Sequence, residues 1–269
     1  MKICVIGDIH SRSNWQKIDL EQYDKVVFMG DYFDPYAYNI SYDDRWDNFQ
    51  KILELKKKNP FKIILLFGNH DFHYLPNIQE KYSRYDNTMA LDPKFRVGET
   101  FEKLLHDDVL LLGYTVPGTR LFFSHATISI PWYNRFILGK TKSEIEEAPV
   151  LAVPDMEEAR VRLEVVMNRI PIESYAFTDA YWDVYGYDPS NSPLWWRCMN
   201  QYGDGLQVES ILKGLIQVNG HTQIRDLRTQ YIGEDRAVVL VDILEQNKYT
   251  EINVQDGKIS FIEKSLWVS

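Results

Sequence analysis

The sequence predicts an α/β fold, and three observations carry that expectation. The first third repeats one unit: a short apolar run, a glycine-led polar loop, then a helical pattern. The stretch from residue 216 onward is rich in β-branched runs and holds a hairpin signal at Asp256-Gly257. Between them, residues 127–206 show no strand-like alternation. Short continuous apolar runs bounded by turn residues suit strands covered by helices.

Taken in order, residues 2–6 (KICVI) run into Gly7-Asp8-Ile9-His10-Ser11, and 25–29 run into Gly30-Asp31-Tyr32-Phe33-Asp34. Residues 62–67 run into Gly68-Asn69-His70-Asp71. A helix over 44–58 places Trp46, Phe49, Ile52 and Leu53 on one face and stops at Asn59-Pro60. Residues 109–114 and 121–124 read as strands joined across Pro117-Gly118, the second ending in Ser124-His125-Ala126. A helix over 157–170 (EEARVRLEVVMNRI) and a Tyr- and Trp-rich stretch follow. Residues 127–206 therefore read as a mainly helical cap or lid, inserted in a single domain that spans 1–269. Residues 216–219 lead into Gly220-His221-Thr222-Gln223, and runs at 237–243, 248–254 and 258–263 close the chain as a meander.

The bulk properties exclude several classes. A formal net charge of -9 weighs against a nucleic-acid surface, because phosphate backbones reward clustered Lys and Arg. No apolar run reaches the length that spans a bilayer, and Met1 leads into a strand-like run rather than a secretory signal. Two cysteines, Cys4 and Cys198, do not make a disulfide scaffold. Cys4 sits in an apolar run and reads as a buried small hydrophobe, which points to a reducing, cytoplasmic setting.

The loops at the strand ends carry the chemistry. Four of the six histidines (His10, His70, His125, His221) fall in them, beside Asp8, Asp31, Asp34 and Asn69. Strands hold such loops rigidly, so side chains there converge. Carboxylate, amide oxygen and imidazole together suit Mn, Fe, Zn or similar divalent ions. Two such ions about 3.5–4 Å apart clamp a phosphate and lower the pKa of a bridging water. Each loop alone has an ordinary explanation. Asp8-Ile9-His10 fits a solvated turn, Asp31 and Asp34 fit turn and N-cap positions, and single histidines are often structural. All five loops in order, each just after a strand, point to a metal site.

GDIH, GDYFD, GNHD, SHA and GHT, in that order, resemble the calcineurin-like metallophosphoesterase superfamily. The resemblance covers most of the chain outside 127–206. It implies a two-sheet β sandwich flanked by helices and a site holding two divalent metal ions. Asp8 and His10 would bind the first metal, Asp31 would bridge, and Asn69, His125 and His221 would complete the second. His70, oriented by Asp34, would be the general acid or a clamp on the phosphate, and a bridging hydroxide would attack phosphorus in line.

The sequence departs from the pattern in informative places. Many members end in Gly-His-x-His, whereas this chain has Gln223 in place of the second histidine. Gln223 oxygen could serve as a ligand instead. Alternatively, the chain belongs to the protein serine/threonine phosphatase branch, with its bacterial and phage relatives and the diadenosine tetraphosphate hydrolases, which carry Gly-His-Thr. That branch has Asp-Arg-Gly where this chain has Asp34-Pro35-Tyr36, and Ser11 replaces a usual glycine. Pro193-Leu194-Trp195-Trp196-Arg197 resembles a segment of bacterial members whose arginine contacts phosphate, so Arg197 is a candidate phosphate ligand; the alternative is a surface arginine beside cap core.

Other residues have plainer readings. His73 reads as a solvated loop histidine, His106 as a helix C-terminus residue, and Lys56-Lys57-Lys58 as a solvated helix end. Tyr175, Phe177, Tyr181, Trp182, Tyr185 and Tyr187 read as the cap's own core; the sharper alternative is a stacking surface for an aromatic or nucleobase leaving group. The expected function is hydrolysis of phosphomonoesters on a protein, nucleotide or small molecule. The alternatives are a nucleotide phosphodiesterase or dinucleotide polyphosphate hydrolase, a non-catalytic binding module, and a nuclease, which the acidic balance disfavours.

Overall fold

The computed structural model describes residues 1–36, 39–79, 81–139, 157–178, 183, 185–199, 204–232 and 236–267. The strands among them are β1 (Lys2–Ile6), β2 (Lys25–Phe28), β3 (Ile63–Leu66), β4 (Leu110–Leu111), β5 (Gly113–Thr115) and β6 (Leu121–Ser124). They continue with β7 (Ile216–Asn219), β8 (Arg228–Ile232), β9 (Arg236–Leu240), β10 (Lys248–Gln255) and β11 (Lys258–Ser265). The α-helices are α1 (Tyr42–Lys58), α2 (Asn69–Phe72), α3 (Asn87–Leu91), α4 (Val97–His106), α5 (Ile130–Trp132), α6 (Glu157–Met167) and α7 (Tyr175–Thr178). Two compact units contain them. One is Met1–Leu111 with Arg225–Leu227 and Val241–Ser269; the other is Leu112–Ile224 with Arg228–Leu240.

The first unit holds the sheet β11-β10-β1-β2-β3-β4. Its middle strands are parallel, with Val5 opposite Val27 and Phe28 opposite Leu65. The residues of β2 and β3 from Val26 and Ile63 onward are buried, as the unbroken Val, Ile and Leu runs require. Parallel strands release their following loops at one edge, so the loops after β1, β2 and β3 gather there. Helix α1 starts where the Ser41 hydroxyl accepts from the Asp44 amide at 3.1 Å. Asp43 and Asp44 lie in its first turn and Lys56, Lys57 and Lys58 in its last, both matching the helix dipole. Phe49 and Ile52 face the core, on the predicted side.

The second unit holds the sheet β5-β6-β7-β9-β8. Strands β6, β7 and β9 are parallel, with Leu121 opposite Ile216 and Ile216 opposite Ala237. The turn at Pro117-Gly118 closes the antiparallel pair β5–β6 as predicted. Helix α6, from the predicted insertion, covers the open edge of β5. Glu164 accepts from the Thr115 amide at 2.8 Å, and Asn168 Oδ1 accepts from Leu112 and Gly113 at 2.6 and 3.1 Å. Side chains thus satisfy donors that an exposed edge would leave for another strand.

Two expectations are corrected and one strand is added. The run 109–114 is not one strand: β4 pairs parallel with β3 in the first sheet, while β5 pairs with β6 in the second. The closing meander is only the hairpin β10–β11, since β9 joins the other sheet beside β7. Strand β8 (RTQYI) escaped notice because it is a half-exposed edge strand with polar residues. Among the described residues no helix is long and apolar enough to cross a membrane.

Candidate metal centre

Glycines let the three loops of the first unit come into backbone contact. A Cβ on Gly30 would lie 2.7 Å from the Gly68 amide nitrogen, and one on Gly68 would lie 2.6 Å from the Asp31 amide nitrogen. Backbone bonds then align the first loop on the second: the amides of Ile9, His10 and Ser11 donate to the carbonyls of Gly30, Asp31 and Tyr32. His10, Ser11, Asp31 and Asp34 all take positive φ, from 43° to 61°. Non-glycine residues adopt that region rarely, and such strain clusters at functional sites.

Asp71 fastens the third loop to the second. Its carboxylate accepts from the amides of Asp31 at 2.9 Å, Tyr32 at 2.8 Å and Gly68 at 2.9 Å. The His70 amide in turn donates to Asp31 Oδ1 at 2.8 Å. Asp31 Oδ2 then lies 3.6 Å from His10 Nε2. His10 Nδ1 faces the carbonyls of Phe33 and Asp34 at 3.2 and 3.0 Å, which only accept, so the ring proton sits on Nδ1. Burial is the main cause that drives the His10 pKa down to about 3, and the nearby His70 and Arg12 add to it against the pull of Asp31. Neutral His10 therefore presents an Nε2 lone pair to a carboxylate oxygen. Ligand atoms of Asp8, His10 and Asp31 all lie within 4.8 Å of one another, and the three residues are buried. Lone pairs converging at that spacing, oriented from behind, fit a divalent cation.

His70 and Asp34 form the predicted pair. His70 Nδ1 lies 2.9 Å from Asp34 Oδ2, so Nε2 is the ring nitrogen left to act elsewhere. Burial opposes a charge on His70, but Asp31 and the bond to Asp34 outweigh it and raise its pKa. Burial would raise the Asp34 pKa, and contacts with His70 and His73 outweigh that and lower it. The Tyr74 hydroxyl donates to Asp34 Oδ1. Asn69 is buried at the first position of α2, beside His70.

In the second unit His125 follows β6 and His221 follows β7, both buried, with ring centroids 5.3 Å apart. His221 Nε2 donates to the Trp195 carbonyl at 2.9 Å, leaving Nδ1 as the lone-pair nitrogen. Imidazoles held in one tautomer by a carbonyl suit a metal. Arg197 Nη1 donates to the His221 carbonyl at 2.6 Å and lies 3.3 Å from Thr222 Oγ1. Gln223 stands half-buried two residues beyond His221.

The family model for calcineurin-like phosphoesterases matches residues 1–191, which include every predicted site residue up to His125. The chain belongs to that family. It has the mixed α/β fold of the family, with two sheets and flanking helices. The serine/threonine-protein phosphatase 6 catalytic subunit of Drosophila melanogaster is 32% identical over 98 residues, which cover 32% of this chain and 29% of that protein. A protein serine/threonine phosphatase from Saccharomyces cerevisiae, described as similar to human phosphatase PP5, aligns with a TM-score of 0.47 at 15% identity over 98% of this chain and 80% of that one. A Thermotoga maritima protein solved by solution NMR aligns with a TM-score of 0.38 at 11% identity over 98% of both chains.

Sequence reasoning for this family member missed three supporting residues. Asp71 stands at the end of the GNHD motif, and its grip on three amides is invisible in sequence. Asn219, at the end of β7, donates to the carbonyls of Ser124 at 3.1 Å and Ala126 at 2.9 Å, so it holds the chain on both sides of His125. His73 is the third, and its reading as solvated is corrected: it is wholly buried, with Nε2 2.7 Å from Asp34 Oδ2 and its ring against Tyr74, Tyr82 and Tyr85. The reading of the cap aromatics as core holds for Phe177 and fails for Tyr175, Tyr185 and Tyr187, which are exposed. Tyr181 and Trp182 lie outside the described residues.

Proposed function

We propose that the chain is a phosphomonoesterase dependent on two divalent cations, with protein-phosphatase-like chemistry. The observation that carries this is the buried cluster of Asp8, His10 and Asp31, preorganised by His70 and the Phe33 and Asp34 carbonyls, beside the His70–Asp34 pair. Asp8, His10 and Asp31 would hold one cation, and Asn69, His125 and His221, with Asp31, would hold the other. Gln223 oxygen is a candidate further ligand. The donors, oxygen and imidazole nitrogen, suit manganese, iron or zinc. Bound there, such ions would acidify a water and offset charge on the phosphoryl oxygens.

The chain's own residues supply the rest. His70 delivers a proton from Nε2 to the leaving oxygen, since an alkoxide leaves poorly. Asp34 holds the ring by Nδ1 and stabilises its charge. Arg197, whose Nη1 donates to the His221 carbonyl, is the candidate phosphate ligand in this unit. Residues 127–206 are read as an insertion within one domain, bearing on the choice of phosphorylated substrate. Two buried free cysteines accord with a cytoplasmic setting.

The test is hydrolysis of p-nitrophenyl phosphate and a phosphopeptide by protein loaded with Mn2+, against protein stripped with EDTA. Turnover that vanishes on stripping and returns with Mn2+ is expected. No hydrolysis in any metal would sink the reading, and activity on diesters alone would favour the phosphodiesterase alternative.

A further inference from the structure

Beside His10 stands an aromatic and cationic stack that the mechanism above does not use. Tyr36 sets its ring edge-on to His10, with centroids 4.7 Å apart. The Arg84 guanidinium carbon lies 3.9 Å from the centre of the Tyr36 ring, and that of Arg12 lies 5.4 Å from it. All four residues belong to the first unit.

The two arginines are held differently. Arg12 donates to the Asp8 carbonyl at 3.2 Å and has Glu245 at 3.2 Å, so its charge is answered and its place fixed. Arg84 is exposed, and among the described residues no carboxylate pairs with it. Its anchor is the ring of Tyr36. Stacking on an aromatic face fixes the plane of a guanidinium while leaving the N–H edges to a ligand. A fork of that kind matches two oxygens of a phosphoryl group.

We propose that Arg84, seated on Tyr36, binds the non-bridging oxygens of the substrate's phosphoryl group, and that Arg12 acts through Tyr36 as a positioning residue. The assignment rests on the proposed phosphoesterase reading and supplies a cationic anchor for its substrate. Arg84 comes from residues 81–86, between α2 and α3, where no sequence motif marks it.

The experiment uses the full chain loaded with Mn2+ and two probes, inorganic phosphate by calorimetry and p-nitrophenyl phosphate by kinetics. Arg84→Ala should weaken phosphate binding and raise KM by about tenfold or more, the range of a lost charged contact. Mn2+ uptake, read by electron paramagnetic resonance, should not change. Arg84→Lys should recover only part, because an ammonium lacks the fork. Tyr36→Ala should approach Arg84→Ala, and Tyr36→Phe should restore most of what Tyr36→Ala loses. Lys103→Gln, which removes an exposed charge elsewhere, should behave as wild type. Phosphate affinity and KM within twofold of wild type in Arg84→Ala would overturn the assignment, as would an equal loss in Lys103→Gln. If wild type binds phosphate through Arg84 yet hydrolyses nothing, the hydrolase reading fails and the anion site stands.

Discussion

His10 Nε2 faces Asp31 Oδ2 across 3.6 Å because both groups are fixed from behind. Two carbonyls hold His10 Nδ1, and the His70 amide holds Asp31 Oδ1. Two lone pairs held face to face in a buried place repel each other, and a cation between them would relieve that repulsion. Asp31→Asn keeps an oxygen for the His70 amide but removes the second anionic oxygen. Mn2+ content measured by mass spectrometry should fall well below that of wild type. Phosphomonoesterase activity should fall by more than ~100-fold, the upper range for partners one step removed from a metal. Thermal unfolding followed by circular dichroism should stay cooperative. Unchanged metal content would contradict the ligand assignment.

The approach of the loops rests on Gly68. Its missing Cβ is what lets Asp31 lie against it, since that atom would sit 2.1 Å from Asp31 Oδ1 and 2.6 Å from Asp31 N. Gly68→Ala should cost several kcal/mol, at the upper end of ~1–3 kcal/mol for overpacking or beyond it, and metal should be lost with it. Gly118→Ala is the matched control. Its φ is +73° with open space around the new methyl, so only ~1–2 kcal/mol of left-handed strain is expected. Urea midpoints of the two variants compare them directly, and equal losses would show that the contact at Asp31 relaxes freely.

The loops were legible because each ligand type stood at the end of an apolar run, and a run reports burial. What a run does not report is its partner. Side-chain alternation tells which face is buried, but β4 and β5 differ in which sheet they join, and nothing in Leu110 to Thr115 encodes that. His73 was misread for a related reason. Its burial comes from Tyr82 and Tyr85, which arrive on a segment without periodicity. Tyr185 and Tyr187 were misread in the opposite sense. Aromatic density suggested core, whereas the two rings stack on each other, 16° apart in plane, at the surface. Asp71 and Asn219 act by gripping backbone, a role that any Asp or Asn in a turn-rich segment could hold.

Asn219 makes the clearest case for such a role. It donates to Ser124 O, Ser124 Oγ and Ala126 O and accepts from Thr127 Oγ1 at 3.1 Å, all in buried surroundings. Asn219→Ala strands several of these groups at about 1–3 kcal/mol each, so a total loss of roughly 3 kcal/mol is expected in urea unfolding. Affinity for metal should fall about 10–100-fold, as for other residues that orient a ligand. Asn219→Asp should be worse, because a carboxylate cannot donate to the two carbonyls. Stability near wild type in either variant would show that water or a rearranged loop replaces the amide.

Glu164 offers a pH dependence away from the metal site. Its carboxylate accepts from the Thr115 amide at 2.8 Å, on the helix that covers β5. Burial raises its pKa more than that bond lowers it, so the folded value lies above that of ordinary glutamate. Between the ordinary and the raised value the folded protein binds more protons than the unfolded chain, and stability falls as pH rises through that window. The stabilising share is complete below the unfolded pKa and gone above the folded one. Glu164→Gln keeps an oxygen for Thr115 and cannot ionise. The stability of the glutamine variant relative to wild type should therefore increase from pH 4 to pH 7 in urea titrations. A difference that stays flat, or shrinks as pH rises, would mean the Thr115 bond outweighs burial and that Glu164 favours its charged form in the fold.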